Sequence, residues 1–155
     1  MRTIEIKNRV FFPLLEEELK ENKKVRFRIK GNSMYPLLRD EKDEVLLVSC
    51  DPMQIHTGDI VLFKFKGNYI LHRFIQKEKH TFIFKGDNVW YNKEYCQAND
   101  LVGVVERVYR KKGNATDGEF HEVAPDSVRW HFIVRLNQTK IIIRRGISRL
   151  FHLFH

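Results

Sequence analysis

With 155 residues, 43% of them hydrophobic and 31% charged, the chain has the length for one folded domain with a modest core and room for one appended element. That composition excludes a disordered or low-complexity protein. Lys+Arg of 28 against Asp+Glu of 20 gives a net charge of +8, so an anionic partner has to be considered. The excess sits at one end: between Ser127 and His155 fall Arg129, Arg135, Lys140, Arg144, Arg145 and Arg149, with no acid, and the remaining body is close to neutral.

Two cysteines, Cys50 and Cys96, are too few for a disulfide scaffold and are read as free thiols. Neither has a metal-ligand neighbourhood, and neither a metal nor a cofactor is expected. The N-terminus lacks the apolar core of a secretory signal. No apolar run approaches the roughly 20 residues of a membrane span. The expected location is therefore the cytoplasm, with the basic tail able to reach the inner membrane face.

In chain order, the segment up to Asn22 reads as a short helix. Pro13 suits a first helical position, Glu16, Glu17 and Glu18 the early turns, and Lys20, Lys23 and Lys24 the end. Phe11, Leu15 and Leu19 recur every fourth residue and predict the buried stripe. From Val25 the period changes to two, with Val25, Phe27 and Ile29 alternating with Arg26, Arg28 and Lys30. Gly31 and Asn32 break that strand, so Ser33 falls at the start of a loop. Further strands are predicted at 44–49, 59–66, 69–76, 81–85 and 101–110, with Gly67-Asn68 as a hairpin turn. The polar, turn-rich stretch 111–117 ends the β body.

Beyond about residue 126 a helical period returns, with Phe132, Leu136, Ile143, Ile147, Leu150 and Phe154 on one face and Arg145, Arg149 and His152 opposite. The expected fold class is mainly β (α+β), a mixed and mostly antiparallel sheet with a helix at each end. Its expected divisions are a β domain with its N-terminal helix over 1–126 and a basic amphipathic segment over 127–155.

The sharpest feature is Gly31-Asn-Ser-Met-Tyr-Pro-Leu-Leu38. A serine hydroxyl is a weak nucleophile unless a base takes its proton and a fixed backbone exposes it. A loop directly after a strand, held by Gly31 and Pro36, meets the second condition. Three later pieces follow: Thr57-Gly-Asp-Ile-Val61 opening a strand, Leu71-His-Arg-Phe74 on its hairpin partner, and Lys85-Gly-Asp-Asn88 ending the next.

Together the four pieces resemble, in order and approximate spacing, the type I signal peptidases and their LexA-like relatives. The resemblance spans residues 30–88 and implies a serine endopeptidase with Ser33 as nucleophile and His72 as base. The histidine followed by Arg73 is similar to the endoplasmic-reticulum and archaeal branch, whereas most bacterial signal peptidases carry lysine there. Histidine suits the role because its unperturbed pKa of about 6.5 leaves it largely neutral near pH 7.

Asp87 is the natural third member, placed to orient the histidine. Histidine-type members commonly add a second aspartate after Gly-Asp-Asn, but this chain reads Val89-Trp-Tyr-Asn-Lys-Glu94. Asp87, Glu94 or no acid at all therefore remain open behind His72. For the oxyanion, the Ser33 backbone N–H is the first candidate donor and Asn32 a second. Met34 is a candidate for the substrate pocket or for the core. Gly31, Pro36, Arg73, Gly86 and Asn88 are read as structural residues around the site, as is Asp59 in its turn.

The implied partner is a peptide or protein bound in an extended conformation along a strand edge. Two rivals stand beside the enzyme: a binding module of the same fold that has lost turnover, favoured by Gly31 and the missing second aspartate, and a nucleic-acid-binding protein. The near-neutral body and the lack of a nucleic-acid motif make the last the weakest. For the tail, Phe132 and Leu136 are assigned to packing on the body, and the segment 141–155 to an anionic membrane surface.

Overall fold

A computed structural model describes residues 8–112 and 119–123. The segment 127–155, with its expected amphipathic helix and membrane contact, lies outside the described residues. One helix, α1 (Asn8–Lys20), is followed by eight strands: β1 (Val25–Arg28), β2 (Asp43–Ser49), β3 (Ile60–Phe65), β4 (Asn68–Glu78), β5 (Thr81–Lys85), β6 (Glu94–Cys96), β7 (Leu101–Lys111) and β8 (Phe120–Val123). A short 3-10 turn at Ala98–Asp100 precedes β7.

The strands form one sheet in the order β1-β2-β7-β3-β4-β5-β6, with β8 also paired to β7. Every pairing among them is antiparallel. The long β7 runs between β2 and β3 and then takes β8 beside residues 108–111. The fold is thus mainly β, with one α-helix among the described residues. β6 and β8 are additions to the strands that alternation predicts; each is only three or four residues long, too short for a period of two to stand out.

Two local readings are corrected. The helix begins at Asn8, so Pro13 lies inside it rather than at its first position. Pro13 has no N–H to give the carbonyl four residues back. Tertiary contacts hold the preceding turn: Phe11 meets Phe27 edge-on at 5.6 Å and Phe12 stacks on Tyr69 at 4.8 Å. The β3–β4 hairpin turns at Lys66–Gly67 rather than Gly67-Asn68, with Phe65 paired to Asn68. Both turn residues have positive φ, 50° and 77°, the conformation that matches the twist of the flanking strands.

Alternation along the strands sorts the core into packed groups. Leu15 and Leu19 of α1 bury against Leu47, Leu62 and Val102. Gly103 makes the approach fit, since a Cβ there would lie 2.8 Å from Leu19 Cδ1 and from Leu47 Cδ2. An aromatic group, Phe63, Phe74, Phe82 and Phe84 with Val61 and Cys96, fills the β3–β6 half, where Phe63 stacks on Phe84 at 4.1 Å. The third group takes four residues from the segment between β1 and β2: Ile29, Met34, Leu37 and Leu38 join Val45, Ile60, Val108 and Val123.

Candidate active site

The loop between β1 and β2 is amphipathic over a few residues. Met34, Leu37 and Leu38 are 3%, 0% and 0% exposed, whereas Ser33 and Asn32 lie at the surface. Burying those three side chains fixes the loop to the core while its serine faces water. Gly31 has φ +100°, a backbone state other residues rarely adopt, and its N–H donates to Asp40 Oδ1 at 2.7 Å. Further along, Arg110 donates to the Leu37 carbonyl at 2.8 Å and to both oxygens of the fully buried Asp43 at 2.9 and 2.7 Å. Met34, one of the two substrate-side candidates, therefore has its side chain in the core; Asn32 remains outside.

β4 delivers the next two residues, and its pleat separates them. Successive strand residues point to opposite faces, so His72 and Arg73 reach different partners. Glu94 on β6 is paired with Phe84, and Phe84 with Phe74. Directly opposed residues share a face, and His72 lies two residues before Phe74 on that same face. Accordingly His72 Nδ1 and Glu94 Oε2 are 2.9 Å apart, with His72 6% and Glu94 9% exposed. A carboxylate only accepts hydrogen bonds, so this contact suits the neutral ring tautomer with the proton on Nδ1 and the lone pair on Nε2.

Arg73 takes Asp87. Its Nε and Nη2 donate to the two Asp87 oxygens at 2.8 and 2.7 Å, and its Nη1 donates to the Gly58 carbonyl at 2.6 Å. This planar two-point pairing is the geometry guanidinium and carboxylate favour. The acid read as the third member is thus placed on Arg73, and the acid on the histidine ring is Glu94. The same pair joins the turn 57–59 to the turn 86–88. Asp59 closes the first of these by accepting the His56 N–H at 2.8 Å.

The turn 86–88 is where the Ser33 loop and His72 meet. A Cβ built on Gly86 would come within 2.7 Å of the Ser33 carbonyl oxygen and 2.9 Å of His72 Nε2. A side chain at this position would collide with both atoms, so the bare glycine lets the turn lie against the Ser33 carbonyl and the His72 ring at once. Beyond Gly86, the Asn88 N–H donates to the Ser33 carbonyl at 2.8 Å and its Nδ2 to the Asn32 carbonyl at 3.1 Å. The site so assembled holds an exposed serine, a buried histidine whose Nε2 faces the serine's loop, and a carboxylate behind that histidine. Among the described residues no group of three His, Cys, Asp or Glu side chains is placed to hold a metal ion, and no helix is long and apolar enough to cross a membrane.

Local sequence pattern does not single out Glu94 from Asp87 as the acid behind His72. The strand that carries Glu94 is three residues long, and the pairing that aims this residue depends on a register no local pattern announces. The available signal is the alternation of His72 and Arg73, which sends the two side chains to opposite faces and so away from a shared partner.

No curated protein matches the chain significantly. A family model does, over residues 3–109, a stretch that takes in α1, the Ser33 loop, the His72–Glu94 and Arg73–Asp87 pairs and most of β7. By that match, which agrees with the antiparallel sheet and the order of the four sequence boxes, the chain belongs to the Peptidase S24-like family.

Proposed function

We propose that the protein is a serine endopeptidase in which Ser33 is the nucleophile, His72 the general base and Glu94 the acid that orients the base. The observation that carries this reading is the convergence at Gly86, where the Ser33 carbonyl and His72 Nε2 lie close to the same bare Cα while Glu94 holds Nδ1. His72 Nε2 takes the Ser33 hydroxyl proton as the oxygen attacks the peptide carbonyl. Glu94 keeps the ring in the tautomer with Nδ1 protonated and balances the imidazolium that forms. The tetrahedral oxyanion is met by the Ser33 N–H. His72 then gives its proton to the leaving amine, and water, activated by the same nitrogen, releases the acyl group from Ser33.

The substrate lies extended along β1, which pairs with β2 alone among the described strands and runs directly into the nucleophile loop. Backbone hydrogen bonds to such an edge place a peptide with little dependence on its sequence. The test is digestion of a complex peptide mixture by the full chain, with new termini read by mass spectrometry. New termini are expected with the native protein. They should vanish in Ser33→Ala and fall by about 10²–10⁴-fold in His72→Ala, the usual worth of a general base. Undiminished cleavage by a folded Ser33→Ala protein would overturn the reading.

A further inference from the structure

The two carbonyls flanking the nucleophile are both drawn to one residue. Asn88 Nδ2 donates to the Asn32 carbonyl at 3.1 Å, and the Asn88 N–H donates to the Ser33 carbonyl at 2.8 Å. A trans peptide unit is planar, with its C=O and N–H directed oppositely. The Asn32 carbonyl shares its unit with the Ser33 N–H, and the Ser33 carbonyl shares its unit with the Met34 N–H. Holding both carbonyls toward Asn88 therefore directs both N–H groups to the other side of the loop. Among the described residues neither N–H donates to a protein acceptor. Two successive N–H groups facing one side form a concavity suited to an anion.

From this arrangement we infer that Asn88 is a positioning residue for the oxyanion site: its side chain fixes the Asn32–Ser33 peptide plane and so aims the Ser33 N–H at the carbonyl under attack. The inference rests on Ser33 being the nucleophile. Gly86 supports it independently. A side chain there would press on the Ser33 carbonyl from 2.7 Å, so the turn reaches the loop closely enough for both Asn88 bonds only because that position is bare. Asn88 acts through the backbone of the loop and touches no reacting atom.

The test uses a fluorophosphonate probe on the full chain, comparing the native protein with Asn88→Ala and Asn88→Asp. The first removes the donor; the second keeps the shape and turns an acceptor toward the Asn32 carbonyl. Phosphonylation of serine passes through charge on the phosphoryl oxygen, which needs the same N–H. Labelling should slow about 10- to 100-fold in both variants, below the loss from deleting an oxyanion donor outright. The loss should fall on the maximal labelling rate and leave the half-saturating probe concentration unchanged, while the melting temperature stays within a few degrees of the native value. A role confined to folding would move the melting temperature and not the rate. Native labelling rates in both folded variants would overturn the inference, and so would loss of folding in both, which would make Asn88 a residue of the fold as a whole. Ser33→Ala separates the two claims: undiminished labelling in that variant refutes the peptidase reading itself, whereas abolished labelling there with native rates in the Asn88 variants refutes only the role of Asn88.

Discussion

His72 and Arg73 are neighbours in sequence with separate duties, because the pleat of β4 turns one toward Glu94 and the other toward Asp87. The two acids should therefore fail differently. Removing the Asp87 carboxylate leaves the guanidinium of Arg73 buried without its partner, a loss of about 3–5 kcal/mol for pairs of this kind. Asp87→Ala should lower the denaturation midpoint by a corresponding amount. Glu94→Gln leaves no charge stranded, and its fold should persist while fluorophosphonate labelling slows about 10²–10⁴-fold through loss of the tautomer that exposes Nε2. Denaturation curves and labelling rates on the two variants check this. A stable, inactive Asp87→Ala beside an active Glu94→Gln would return Asp87 to the histidine. The sequence made Ser33, His72 and the Gly86–Asn88 turn legible because each sits in a short motif with its own backbone requirement. It left the acid open because the partner of His72 is chosen by register across β4, β5 and β6.

Among the elements, α1 shows how a helix is tied to a sheet by a polar contact at the edge of an apolar one. Leu15 and Leu19 supply the burial, and Glu16 accepts from Lys64 at 2.9 Å and from the Tyr69 hydroxyl at 3.1 Å. Burial by itself would raise the Glu16 pKa, but the hydrogen bonds from Lys64, Tyr69 and Lys20 outweigh it and hold the carboxyl below its ordinary value of 4.5. A carboxyl whose folded pKa is lowered adds stability above its unfolded value and loses it as pH falls through the folded one. The docking of α1 should therefore weaken below about pH 4.5, and Glu16→Gln should flatten that part of the stability–pH curve. Because the contact is partly solvated, the loss at pH 7 should be about 1 kcal/mol or less. Urea denaturation from pH 3 to 7 on both proteins measures it; an unchanged pH slope would contradict it. The stripe Phe11, Leu15 and Leu19 and the long strands were legible from their periods. The helix start was not, since Phe11 and Phe12 hold a turn that Pro13 opposes.

Across the described residues, the sheet brings together the loop after β1, the middle of β4 and the turn after β5, segments far apart in sequence that make up the candidate site. Cys50 and Cys96 share the aromatic half of the core as free thiols, and burial, with smaller contributions from nearby acids, pushes both up to about 12. They are thus poor nucleophiles near neutral pH, and under the proposed reading the exposed Ser33 takes that role. The antiparallel architecture was legible from alternation and turn chemistry, whereas β6 and β8 depend on pairing that only the assembled sheet supplies. The most direct test of the central claim is to treat the full chain with a fluorophosphonate and locate the adduct by peptide mapping. One adduct per chain is expected, on Ser33, formed at a rate that collapses in a folded His72→Ala protein. An adduct elsewhere, or labelling of Ser33 that does not depend on His72, would contradict it.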